Sequence, residues 1–239
     1  MKCKICCQQK ELRDSHIIPE FFYKPMYDDK HRFNVIPLSV GQKLQYKQKG
    51  IREELLCDDC EVQLSVYEKH VRKVFYGGTG IYITNGNPLK IEKIDYKKFK
   101  LFQLSLLYRA AVSSLEFFQN VTLGPHLEKI RNMLLNENPG SKLEYPCFMF
   151  MILMEKNKVL DDFIYPPQMM KIDGHRVYRF ILGGCFWVYF VSSHTNRINF
   201  TEFILDENGK VLIPIRKAED THFFRELAKG VVKYGKRAT

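Results

Sequence analysis

Long apolar runs are missing from this 239-residue chain. None approaches the roughly 18–20 residues of a membrane span. The longest candidate, Phe180 to Val191, is shorter and contains two glycines, which suits a pair of buried strands. Acids are also in short supply: 27 Asp and Glu stand against 37 Lys and Arg, a formal net charge of +10. That balance suits a polyanionic partner such as nucleic acid, although an ordinary basic protein shows it too. Repeats and low-complexity tracts are absent. No signal-peptide-like apolar stretch precedes the first cysteines, which sets the expectation of a cytoplasmic protein with no membrane partner.

Nor is there an even set of cysteines. The seven present argue against a disulfide framework, and reduced cysteine pairs read as metal sites. Two pairs stand out: Cys3-Lys4-Ile5-Cys6 and Cys57-Asp58-Asp59-Cys60. Four thiolates in two such knuckles can close a tetrahedral zinc shell, in which Cys7 is an alternative to Cys6. A closed all-sulfur shell is structural rather than catalytic. The other reading is a set of buried free thiols. Cys7, Cys147 and Cys185 remain outside the shell.

The pattern predicts an α+β chain. A zinc unit spans about 1–78, a hairpin or linker 79–95, and an α+β domain of unassigned role 96–239. In the first unit a strand-like stretch runs through His16-Ile17-Ile18, Tyr27 to Gly50 is loop or irregular hairpin, and a helix runs from Asp58 to Phe75. Short strands at Ile81–Thr84 and Lys90–Ile94 form the hairpin. Helices are expected over Tyr96–Asn120, His126–Leu135 and Asp220–Tyr234. Strands are expected over Cys147–Met154, Val177–Leu182, Phe186–Val191, Phe200–Leu205 and Val211–Ile215, in a mostly antiparallel sheet.

C-x-x-C, Ser15-His16-Ile17-Ile18-Pro19, Leu55-Leu56-C-x-x-C and then a helix follow one another in this order. The order resembles the HNH endonucleases, whose ββα-metal site sits in a treble-clef zinc frame. The resemblance covers residues 3–75. It implies a metal-dependent hydrolase of phosphodiester bonds in DNA, ahead of RNA, with a possible role in bacterial or phage defence. His16 is then the general base that deprotonates water, and Glu61 holds a catalytic magnesium or manganese ion. A neutral histidine and a hard carboxylate suit these two tasks. Glu68, seven residues further along the helix, shares the face of Glu61 and is a second ligand or an orienter of His16. His70 lies off that face.

Several positions depart from the family. Ser15 stands where an aspartate ligand is usual, and Asp14 lies one residue back. Glu61 replaces the final histidine. The middle asparagine has no counterpart near Arg52, and Asn34 is far upstream. Plainer readings exist for each residue. His16 can cap the knuckle, Glu61 can be a first-turn glutamate favoured by the helix dipole, and Glu68 can be a surface carboxylate. A Ser15 nucleophile has no triad to support it. Arg13, Lys43, Lys47, Lys49 and Arg52 are the candidate phosphate contacts. Phe21, Phe22 and Tyr23 either stack on bases or build the core.

Beyond residue 95, Tyr108, Arg109, His126, His175 and His194 occupy no interpretable spacing. This part is expected to bind a regulator, orient the substrate or form a homodimer. The alternative to the enzyme is a catalytically silent zinc module that docks nucleic acid or a protein partner.

Overall fold

The computed structural model describes residues 1–35, 45–77, 82–84, 86–193, 198 and 200–227. The chain is α+β, with mostly antiparallel sheets. Lys43, His194 and the end of the expected C-terminal helix lie outside the described residues; 222–227 are helical.

The first segment builds two small hairpins. β1 (Arg13–His16) pairs antiparallel with β4 (Arg52–Leu56), and the register sets Ser15 opposite Glu53 and His16 opposite Arg52. β2 (Phe33–Val35) pairs with β3 (Gln45–Lys47). β1 stops at His16, so Ile17 and Ile18 are not strand. They turn the chain into Pro19 and a 3₁₀ turn at Glu20–Phe22 that buries Phe21 and Phe22. α1 (Asp58–Tyr76) starts directly at the second knuckle. Asp58, Asp59 and Glu61 crowd its first turn, where negative charge meets the positive end of the helix dipole. Gly77, at φ 85°, ends it.

β5 (Tyr82–Thr84) and β6 (Leu89–Glu92) form the expected hairpin, and β11 (Val211–Ile213) adds to it as a third strand. α2 (Tyr96–Val112) opens with Asp95, whose side chain accepts from the Lys98 N–H at 3.0 Å. It ends at Val112, short of Asn120. Ser113 is extended, and Ser113 and Ser114 turn their hydroxyls to Glu53 instead of continuing the helix. α3 (His126–Leu135) matches its expected span.

The larger sheet has the order β12-β7-β10-β9-β8. Its strands are β7 (Cys147–Leu153), β8 (Tyr165–Ile172), β9 (His175–Leu182), β10 (Cys185–Phe190) and β12 (Ile215–Lys217), with only β12 running parallel to its neighbour. β9 and β10 are the buried strand pair read from Phe180–Val191. Gly183 and Gly184, both at positive φ, make their two-residue turn. Any Cβ on Gly183 would strike the Phe22 ring, so the turn docks on the first segment only as glycine. β8 is not among the expected strands, and it carries Pro166 and Pro167. It is an edge strand, and its register slips where the prolines lie. Phe200–Leu205 is not a strand. Thr201–Phe203 is a 3₁₀ turn that lets Phe200 and Phe203 both reach the ring of Phe148.

α2 is the central element. Its residues 99–110 are all buried, including Lys100, Gln103, Ser105 and Arg109. One continuous apolar cluster runs from Ile5 and Phe22 through α1 and α2 to Trp187 and Val191. Trp187 gathers Phe22, Phe75, Phe99 and Phe102 around its rings. No helix among the described residues is long and apolar enough to cross a membrane.

Candidate metal centre and the His16 cluster

The two knuckles meet because β1 and β4 pair. The Lys4 N–H donates to the Leu55 carbonyl at 3.0 Å, and the Cys57 N–H points at Cys3 Sγ at 3.4 Å. The Sγ atoms of Cys3, Cys6, Cys57 and Cys60 all lie within 4.8 Å of one another. Cys3–Cys60 and Cys6–Cys57 are each separated by 3.7 Å. Disulfide sulfurs sit at about 2.05 Å, so these are not bonded pairs. Metal–sulfur bonds of about 2.3 Å in a tetrahedron set the sulfurs roughly 3.8 Å apart, and the observed spacing fits. The four cysteines can therefore hold a metal ion such as zinc. Cys7 is exposed and outside the group; its N–H donates to the Cys3 carbonyl and closes the turn.

The four thiols influence one another. Burial raises the Cys3 thiol, but N–H groups of Cys57, Cys6 and Ile5 outweigh it and bring it down to about 7. Burial pushes Cys60 up, and charge on Cys3 adds to that. Negative charge on Cys3 opposes charge on Cys60, and a bound divalent cation would offset that repulsion.

His16 lies at the end of β1, with 23 % of its side chain exposed. Its Nε2 is 2.9 Å from Glu20 Oε2. The Tyr27 hydroxyl donates to the other oxygen of the same carboxylate. Burial, and then the Glu20 hydrogen bond and charge, push the Tyr27 phenol up, so it stays a donor. Glu20 is thus shared between a histidine and a tyrosine from separate turns. Glu20 is not a residue that pattern alone singles out, because the His16-to-Glu20 spacing crosses a proline and carries no helical or strand period. The signal available was an acid four residues after the candidate base.

Arg52 sits opposite His16 in the register, and its positive charge acts on Tyr27. Its Nη1 is 3.5 Å from Asp14 Oδ2, while its Nε is buried with no partner among the described residues. Tyr23 supports this wall of the site. Its hydroxyl accepts from the Ile51 N–H at 3.1 Å, and its ring lies where a Gly50 side chain would be.

The other candidate residues are placed differently. Ser15 is 1 % exposed; its hydroxyl accepts from the Leu56 N–H and donates to the Arg13 carbonyl, so it serves the hairpin. Asp14 is exposed and engages Arg52. Glu68 pairs with Arg109 at 2.9 Å, and the same Arg109 nitrogen donates to the His16 carbonyl. Glu61 stands in the first turn of α1 with Oε1 buried and unpartnered among the described residues. Arg13 pairs with Asp58, whereas Lys47 and Lys49 are exposed. Phe21, Phe22 and Tyr23 are core. Among the described residues the four cysteines are the one converging group of three or more His, Cys, Asp or Glu ligands; Asp14, His16 and Glu61 do not form such a group.

No family model matches this chain, and neither a curated protein nor a solved structure matches it.

Proposed function

We propose that the chain is an HNH-like endonuclease that hydrolyses DNA phosphodiester bonds beside a structural zinc centre. The observation that carries this reading is the His16–Glu20 contact of 2.9 Å at the end of β1, whose hairpin with β4 leads into the four-cysteine group. With Nε2–H donating to Glu20, Nδ1 keeps the lone pair that takes a proton from water. Glu20 orients the ring and stabilises the imidazolium that forms. Tyr27 holds Glu20 in place by donating to its second oxygen. Arg52, Lys47 and Lys49 supply positive charge for the phosphate.

A magnesium or manganese ion, when bound, would neutralise charge at the phosphate and leaving oxygen. Glu61, with its buried unpartnered oxygen, is the carboxylate available to it. Such ions take one or two carboxylates and complete their shell with phosphate oxygens and water. The separation of Asp14 and Glu61 into different environments favours one other reading. In it the zinc frame docks nucleic acid or a protein without cutting it.

Purified protein incubated with plasmid and with single-stranded DNA, in magnesium, manganese or EDTA and beside a His16→Ala variant, decides between the two. Metal-dependent nicking that the variant lacks supports the endonuclease. Binding with no nicking in any condition leaves the docking module.

A further inference from the structure

We propose that Arg109, on α2 and outside the zinc frame, is a positioning residue for His16. This rests on the nuclease reading of His16 and extends the site into the C-terminal part of the chain. Arg109 is 1 % exposed. Its Nη1 donates to the His16 carbonyl at 2.6 Å and lies 2.9 Å from Glu68 Oε1 in an ion pair. Its Nε reaches the Ser105 carbonyl one turn back at 3.4 Å, which fixes the fork against its own helix. A planar guanidinium transmits that fixed orientation to what it binds.

The same end of α2 holds the partner strand. Ser113 Oγ and Ser114 Oγ donate to the Glu53 carboxylate, each at 2.6 Å, and Glu53 lies opposite Ser15 in the β1–β4 register. Tyr108 donates to the Lys4 carbonyl in the first knuckle. α2 therefore grips both strands that present His16 and the knuckle beneath them. The ring of His16 is set by Glu20 and its backbone by Arg109.

Arg109 Nη2 is buried with no partner among the described residues, so the fork is engaged through Nη1 and Nε alone. The shorter of the two Nη1 contacts goes to the carbonyl of the reactive residue rather than to Glu68. Arg131 supplies the contrast. From α3 it also donates to a frame carbonyl, that of Ile5 at 2.7 Å, but at the knuckle rather than at His16.

The test uses the full chain with Arg109→Lys, Arg109→Ala, Glu68→Gln and, as control, Arg131→Lys, each checked for folding by a thermal melt. Arg109→Lys keeps the charge and loses the fork. Its turnover on DNA should fall on the order of 100-fold, the penalty of a misplacement of about 1 Å, with KM unchanged because Arg109 does not touch the substrate. Glu68→Gln should fall less. Millimolar methylguanidinium should restore turnover to Arg109→Ala and leave Arg131→Lys unaffected. Folded Arg109→Lys that turns over like the parent, or a loss confined to KM, overturns the proposal. If the parent cuts no DNA under any condition, the nuclease reading fails separately. Arg109 is then judged by the His16 ring resonances in carbon–proton NMR. They should shift in Arg109→Lys and stay in place in Arg131→Lys; unmoved resonances in Arg109→Lys overturn the inference.

Discussion

The indole of Trp187 stacks on the ring of Phe75, with centroids 5.5 Å apart and planes 17° from parallel. That contact joins the last turns of α1, which begins at the second cysteine knuckle, to β10 in the middle of the larger sheet. Phe22, from the turn that follows His16, meets the same indole edge-on. The four-cysteine segment and the sheet therefore share a core.

Trp187→Ala should destabilise the chain by about 3–5 kcal/mol, the usual range for emptying a buried aromatic site. The loss should appear in one cooperative transition in which the zinc frame and the sheet unfold together. Denaturant melts followed by zinc release and by far-ultraviolet dichroism check this. Two separated transitions in the parent protein would sink it.

Metal analysis of the purified chain should find about one zinc per molecule, held by the four cysteines. Cys57→Ser should lose it, and a strong chelator should remove it from the parent. Because the metal's binding energy is folding energy, both treatments should lower the melting temperature. Cys7→Ser should retain the metal, since Cys7 lies outside the ligand group. Equal loss from the Cys7 and Cys57 variants contradicts this assignment.

On the endonuclease proposal, removing His16 should matter more than removing Glu20. His16→Ala should reduce DNA cleavage by roughly 10²–10⁴-fold, the range of general acid–base contributions. Glu20→Gln keeps the shape but not the charge, and should cause a smaller loss. Tyr27→Phe should have the least effect, because it touches only Glu20. Rates from supercoiled plasmid nicking give the order, and a Glu20→Gln variant as active as the parent removes Glu20 from the site.

His70 supplies a pH dependence. Its Nε2 accepts from the Asp95 N–H at 3.1 Å, at the start of α2, so Nδ1 carries the ring proton in the neutral form. Burial lowers its pKa below the usual 6.5. The unfolded chain thus binds more protons than the native one between the two values, and stability falls as pH drops below about 6.5. The difference in unfolding free energy between the parent and His70→Gln should narrow from pH 7 to pH 5. A constant difference across that range would count against His70 as the titrating group.

The convergence of four cysteines was legible because its signal is local. Cys3 with Cys6 and Cys57 with Cys60 each occupy a fixed two-residue spacing, and the apolar period of α1 follows directly. The buried pair β9 and β10 was legible for the same reason, since an apolar run broken by two glycines has few alternatives. Expectations drawn from pattern alone failed where side chains competed with the backbone. α2 stops at Val112 because Ser113 and Ser114 bind Glu53, and Phe200–Phe203 turns instead of extending to reach Phe148.

Chemistry around His16 was only half legible. The motif singled out the histidine, but its neighbours are set by packing. Glu20 arrives through a turn after Pro19, Ser15 is spent on the hairpin, and Glu68 is drawn to Arg109. By itself the sequence determined the four thiols, the basic balance and the place of His16 between the two knuckles, because spacing and composition are properties of the chain. Only the tertiary structure decided that α2 is buried on every side and that its arginine reaches the His16 carbonyl. Contacts between residues 93 positions apart depend on how helices and sheet close on one core, and no local period encodes them.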